Sequence, residues 1–318
     1  MKTEVWESKV YDIAPGICAY IAPNGLARSN ASMVAGTRFG IFIDALGNAE
    51  LTEAFRAEAE RRTEVPINML ALTHSHGDHV FGAHAYGNVI QFATKKCKAE
   101  ADADPDGPSD FILTHSLVYK KGQSFRSPFQ VIYEDDLEID LGGRTVLLHD
   151  CGACHTASDV IAYVPEEKVA FCGDILFNKV TPIGSGFHAG ALIDALDWLL
   201  RLDCETYVPG HGPIANRADL VLARDYWIFL WEQAKAAHAA GSSAIDLAED
   251  LDLGRYESWT EPERVVQLFE CMYRELSGVD PLTSKPTFNV HGERLRMARE
   301  GRRVHPLTRD EQEGGDET

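Results

Sequence analysis

The stretch Thr73-His74-Ser75-His76-Gly77-Asp78-His79 limits what this chain can fold into more than any other. It follows the apolar run Asn68-Met69-Leu70-Ala71-Leu72, which has the length and flanks of a buried strand. Three imidazoles and a carboxylate within six residues are hard to reconcile with packing. Histidine is seldom fully buried without a partner, and crowded imidazoles repel one another when charged. A divalent metal removes the conflict, because neutral imidazole nitrogen and carboxylate oxygen are the donors zinc takes. A tight loop leaving a strand also lets side chains converge in a way that a straight strand or helix does not. The alternative is a polar surface loop rich in histidine. The spacing favours a metal site at the end of a buried strand.

Around that strand the chain reads as alternating elements. Val10, Ile13, Ile17, Ala19 and Ile21 lie among Pro15-Gly16 and Pro23-Asn24-Gly25, a pattern of short antiparallel strands. Gly40 to Ile43 is a further apolar run ending in Asp44. Leu51, Ala54, Phe55 and Ala59 then have amphipathic helical spacing, which Pro66 stops. Lys95 to Asp110 is polar and holds Asp102, Asp104, Pro105, Asp106, Gly107 and Pro108, so it reads as a surface loop. Strand-like runs return at Phe129 to Tyr133 and Thr145 to Leu148. Val160 to Val164 and Lys168 to Cys172 form a pair joined by Pro165-Glu166-Glu167. Leu192, Leu196, Leu199 and Leu200 mark a helix, and Thr206 to Val208 a last strand. After Pro213 the period becomes helical. Asn216 reads as the N-cap of a helix carrying Leu220, Ala223, Trp227, Leu230 and Trp231, and Thr260 with Glu263 has capping-box spacing before another.

Three later points could supply further metal donors, each just after an expected strand: His155, Asp174 and His211. Singly each is weak, since a lone histidine is more often a surface residue and Gly-Asp more often a turn. Together with His-x-His-x-Asp-His at 74 to 79, with His155-Thr156, Gly173-Asp174 and Pro209-Gly210-His211-Gly212, they make the chain resemble the metallo-β-lactamase superfamily over roughly residues 8 to 215. The run from Val164 to Phe177 is also close to the family's usual one. Cys151-Gly152-Ala153-Cys154 departs from it, because many members have glycine beside the third histidine.

The resemblance implies an α/β protein, a four-layer αββα metallo-β-lactamase-like sandwich with the metals in loops at one edge. Residues 1–215 would form the catalytic domain, 216–308 a helical C-terminal extension packing on it, and 309–318 a disordered acidic tail. His74, His76 and His155 would hold one ion and Asp78, His79 and His211 the other, with Asp174 bridging and Asp44 supporting the histidine loop from behind. Two divalent ions, zinc foremost with iron or manganese also suited, would supply a shared hydroxide near neutral pH. That hydroxide would attack an ester, thioester, lactone or amide carbonyl of a small organic substrate, with Asp78 as the catalytic carboxylate. Leu176 to Gly190 leaves from beside Asp174 with several glycines and aromatics, so Phe187 and His188 are expected to contact the substrate as a mobile lip, with capping of the core as the alternative.

Composition narrows the partners. A net charge of -19 argues against nucleic acid, which binds basic faces. Met1 to Glu7 lacks the apolar region of a signal peptide, no apolar run is long enough to span a membrane, and seven scattered cysteines do not resemble a disulfide framework. The expectation is a cytoplasmic enzyme with no membrane partner, compatible with a homodimer. Cys151 to His155 also spells a haem-attachment motif, but that chemistry belongs outside the cytoplasm and His155 is already spoken for. Flavodiiron proteins resemble His-x-Glu-x-Asp-His, and His76 stands where they have glutamate. A mononuclear iron sulfur dioxygenase-like oxidoreductase of the same fold and a non-catalytic, metal-stabilised binding scaffold remain the rival readings.

Overall fold

The structure, a computed structural model, describes residues 6–23, 28–103, 129–184 and 186–300. Two sheets form its centre. The first holds β1 (Lys9–Ala14), β2 (Ile17–Ile21), β3 (Ala31–Ala35), β4 (Gly40–Ile43), β5 (Ile67–Ala71), β6 (Ile90–Thr94) and β7 (Val131–Tyr133), side by side in chain order. Its first four strands pair antiparallel and its last four parallel, with β4 common to both. The second sheet runs β12 (Thr206–Val208), β11 (Val169–Phe171), β10 (Val160–Val164), β9 (Thr145–Asp150), β8 (Leu137–Asp140). Within it only β11 and β12 are parallel.

Side-chain alternation along the strands makes the layers. Ile41 and Ile43 of β4 meet Val160, Ala162 and Val164 of β10 between the sheets. Phe42, between the two isoleucines, faces the other way, onto Phe55 and Ala59 of α1 (Ala49–Glu60). Ile161 and Tyr163 likewise face away from the first sheet, toward Leu192, Leu196 and Leu199 of α4 (Ala189–Arg201). The same apolar layer continues into α5 (Arg217–Ala239), α6 (Ala244–Asp250) and α7 (Val265–Leu276), which bring Leu230, Ala248 and Phe269. The order is helix, sheet, sheet, helix, with a helical C-terminal part. Among the described residues, α2 (Gly77–Val80), α3 (Lys95–Ala103) and α8 (Val290–Arg299) complete the helices, and none is long and apolar enough to cross a membrane.

Local chemistry explains most boundaries. Asn48 caps α1 by accepting from Leu51 N. Asn216 caps α5, as the sequence leads one to expect, and Asp219 Oδ2 completes a box by accepting from Asn216 N at 3.0 Å. Pro165–Glu167 forms a tight turn between β10 and β11, closed by Lys168 at φ 56°.

Two expectations fail. Lys95 to Asp110 is not simply a loop, because Lys95–Ala103 is α3. Its lysines, alanines and glutamate are good helix formers. Thr94 Oγ1 accepts from Cys97 N at 3.1 Å, and Cys97 and Ala101 turn inward. Of the Asp/Pro/Gly cluster behind the loop reading, Asp102 lies within α3, and 104–110 lie outside the described residues, as does the expected acidic tail 309–318. Thr260 and Glu263 form no capping box either. Glu261 adopts a left-handed backbone at φ 57°, Pro262–Arg264 makes a separate 3-10 turn, and α7 starts only at Val265. Glu263 is instead fully buried, 3.8 Å from the buried Arg294.

Candidate metal centre

Loops from both sheets meet at one end of the sandwich. Asp44 follows β4, His74 to His79 follow β5, His155 lies between β9 and β10, Asp174 follows β11 and His211 follows β12. Their donor atoms fall into two groups, His74, His76, His155 and Asp174, and Asp78, His79 and His211, and within each group every atom lies within 4.8 Å of every other. Asp174 reaches both with separate oxygens. Oδ2 lies 3.2 Å from His155 Nε2 and 3.8 Å from His74 Nε2, while Oδ1 lies 3.2 Å from His79 Nε2 and 3.3 Å from His211 Nε2. His211 Nε2 is also 3.3 Å from Asp78 Oδ2.

Surrounding bonds fix which imidazole nitrogen faces inward. His79 Nδ1 is 2.7 Å from Asp44 Oδ2 and donates to it, so Nε2 is the nitrogen turned toward the cluster. His211 Nδ1 donates to the Arg28 carbonyl at 3.0 Å. Thr73 Oγ1 donates to Asp44 Oδ2 at 2.8 Å and so accepts from His74 Nδ1 at 3.0 Å. Asp44 Oδ1 takes the Thr73 N–H at 2.8 Å. Three Nε2 atoms therefore aim into the cluster.

These residues fit divalent ions. Nε2 of His74, His79 and His211 and Oδ1 of Asp174 are buried without a hydrogen-bond partner, which is costly unless something else takes their lone pairs. Donors placed tetrahedrally about 2.0–2.1 Å from a zinc ion stand roughly 3.3–3.4 Å apart, close to the separations seen. The protonation states divide. Burial, then the charge of His79, drives His74 well below its ordinary pKa, and burial, then His155, takes His76 down to about 4. Burial opposes the charge on Asp174, but His211 and His79 hold its carboxyl well below the usual range. Burial opposes charge on His79 and His155 as well, but the Asp174 carboxylate beside them raises both above the ordinary imidazole value, so a metal bound here would displace their protons. All seven side chains are buried except that of His76, which marks the open side.

Glycines allow the loops to approach this closely. A Cβ on Gly210 would stand 2.0 Å from Asp174 Oδ1, and one on Gly173, at φ 50°, would stand 2.7 Å from the Thr73 side chain. Residues not singled out in the sequence hold the loops in place. Asn30 Nδ2 donates to the carbonyls of Pro209 and Gly212 at 2.8 and 3.0 Å, on either side of His211. Asp159 Oδ2 accepts from Cys154 N at 3.2 Å and Thr156 N at 2.8 Å, around His155. Burial pushes the Asp159 carboxyl up to about 6. Thr73 stands next to His74 and could have been suspected. Asn30 bonds to loops more than 170 residues away, and no local pattern marks it.

The expected substrate lip needs correction. Phe187 is fully buried, edge-on to Trp227 at 5.1 Å in the outer core. Phe177 is buried too, stacked 5.0 Å from the His211 ring. Apolar packing has taken both aromatics, so Phe187 is not placed as an exposed contact. His188 is partly exposed and paired with Glu275 at 3.4 Å and Asp280 at 3.5 Å. Tyr226 and Trp227 lie in the same core. Cys151 and Cys154 are free, as are the other five cysteines.

A family profile for the metallo-beta-lactamase superfamily matches residues 24–211. Over half the chain is covered, and the protein belongs to that superfamily. Among solved structures, the stereoselective inverting sec-alkylsulfatase Pisa1 from Pseudomonas sp. aligns with a TM-score of 0.66 at 18% identity, over 87% of this chain and 51% of its own. This chain thus spans about half the length of that sulfatase. A metallo-beta-lactamase from Pontibacter korlensis aligns with a TM-score of 0.54 at 18% identity, over 70% of this chain and 99% of its own. The metallo-beta-lactamase DIM-1 aligns with a TM-score of 0.53 at 16% identity, over 70% and 97%. At these identities the likeness is one of fold. Comparison with curated proteins finds no match.

Proposed function

We propose that this protein is a dinuclear metal-dependent hydrolase, zinc being the first choice of ion, acting on an ester, thioester, lactone or amide carbonyl of a small organic substrate. The observation that carries the reading is the shared carboxylate: Asp174 offers one oxygen to each of two donor groups that otherwise do not share a side chain. Bound there, the ions would supply a water deprotonated near neutral pH and a Lewis acid for the carbonyl oxygen. The chain's own residues do the rest. Asp44, Thr73 and the Arg28 carbonyl keep three imidazoles in the tautomer that presents Nε2. Asp78, whose carboxylate lies beside His211, would accept a hydrogen bond from the attacking water and hold it in line. The exposed His76 marks the side from which substrate enters.

The test joins composition with chemistry. Elemental analysis of protein purified without added metal should find close to two ions per chain. The substrate panel contains thioesters, lactones, aryl esters and a β-lactam, together with a secondary alkyl sulfate because one structural neighbour is a sec-alkylsulfatase. Asp78→Asn should lower kcat roughly 10²-fold or more with the fold intact, as expected when an attacking group loses alignment. One iron and no zinc would move the reading to oxidation. Two zinc ions with no turnover anywhere on the panel would favour a scaffold.

A further inference from the structure

Glu100, on α3, bonds beside the ligands of one donor group from two separate loops. Its Oε2 accepts from Ser75 Oγ at 2.8 Å, and Ser75 stands between His74 and His76. Its Oε1 accepts from Ala157 N at 3.1 Å, two residues after His155. The helix is seated for this. Thr94 Oγ1 caps it through Cys97 N and is 2.6 Å from Ser158 Oγ, so the start of α3 is fastened to the His155 loop as well. The His74–His76 loop leaves the first sheet and the His155 loop belongs to the second. Glu100 is thus a two-pronged tie across the sandwich, and its two oxygens accept both donors at once, which a one-atom acceptor does not achieve.

We infer that Glu100 is a positioning residue that holds His74, His76 and His155 at one mutual spacing, and so sets the affinity of the ion they bind much more than that of the ion at Asp78, His79 and His211. The inference rests on the two-ion reading above. Side chains that orient metal ligands from behind typically contribute 10–100-fold to affinity. Asp44 and the Arg28 carbonyl orient His79 and His211 directly, whereas Glu100 bonds beside His74, His76 and His155, so its effect falls mainly on the first group.

The experiment isolates each ion. His211→Ala removes a donor from the second group and His155→Ala one from the first. Each protein is stripped of metal and titrated with Zn²⁺ in competition with a chromophoric chelator, with no turnover assay involved. In the His211→Ala background, adding Glu100→Ala should weaken the remaining ion on the order of 10–100-fold. Glu100→Gln should recover most of this, because its amide can still meet both Ser75 Oγ and Ala157 N. In the His155→Ala background Glu100→Ala should weaken the remaining ion far less, by no more than a few-fold. Equal losses in the two backgrounds, or a glutamine variant as weak as the alanine one, would overturn the assignment. If Glu100→Ala does not fold, Ser75→Ala cuts a single prong and should show the same asymmetry at smaller size, and no asymmetry would again overturn it. A parent protein that binds no zinc in either background sinks the metal reading itself, a result distinct from Glu100 having no effect.

Discussion

Asp44→Asn is the sharpest perturbation of the centre, because it changes one atom and leaves the backbone content. Asp44 sits at φ 62°, a left-handed conformation that asparagine tolerates as well as aspartate, so strain does not confuse the outcome as it would with alanine. The carboxylate accepts three hydrogen bonds, from Thr73 N, Thr73 Oγ1 and His79 Nδ1. Asparagine keeps the bond from Thr73 N through its oxygen and turns an NH₂ toward the other two. The Thr73 hydroxyl can rotate to accept. His79 cannot, unless its proton moves from Nδ1 to Nε2, and Nε2 is the atom aimed at the cluster. The lost charged bond is worth about 1.5–3 kcal/mol. An imidazole held in the wrong tautomer should weaken its ion by about 10–100-fold, or about 1.4–2.7 kcal/mol. Chelator competition should therefore show one weakened zinc constant, that of the His79 group, and urea unfolding of the metal-free protein should show a loss of about 2 kcal/mol. Two unchanged zinc constants would refute the claim that Asp44 fixes the His79 tautomer.

Three further outcomes are expected. Gly210→Ala should release the ion that Asp174 Oδ1 faces, because the new Cβ would stand 2.0 Å from that oxygen; elemental analysis finding two ions still bound would contradict this. Glu263→Gln should flatten the pH dependence of stability. Burial, then Glu261 beside it, raises the Glu263 carboxyl from 4.5 to about 8, so the folded protein binds the proton more tightly than the unfolded chain. Its contribution is fully present below pH 4.5 and lost as pH rises through 8, and urea midpoints at pH 5 and pH 8 should converge in the variant. Equal slopes in both proteins would remove Glu263 as the cause. Phe187→Ala should cost about 3–5 kcal/mol of stability as a core truncation and change kcat/KM evenly across substrates, whereas selective loss for one class would restore its role as a substrate contact.

How legible the protein is in its sequence follows from how local each determinant is. The histidine cluster can be read because His74 to His79 lie close together in the chain, and α5 because the Asn216 cap stands directly before apolar residues at helical spacing. β3 shows little periodicity, since Ala31-Ser32-Met33-Val34-Ala35 is buried on both faces and built from small residues. The false capping box shows the converse. Thr260 and Glu263 have the right spacing, but the backbone at Glu261 and the buried arginine nearby decide otherwise. Phe187 looks like a lip residue among glycines, and only the helix carrying Trp227, folded back from later in the chain, makes it core. Asn30 and Asp159 were invisible because they matter through backbone atoms, which the sequence does not distinguish.

The meeting of both sheets at one cluster has a consequence for synthesis. His74 emerges early, whereas His211 follows β12 and is the last of the seven donors to be made. A nascent chain halted before His211 lacks a donor for the second group, and one halted before His155 also lacks both His155 and Asp174 of the first. Ions that bind only the assembled site pull on the finished fold and offer nothing to its precursors. Metal capture would then act as a late inspection step, distinguishing chains whose sheets have docked in register from those that are merely collapsed.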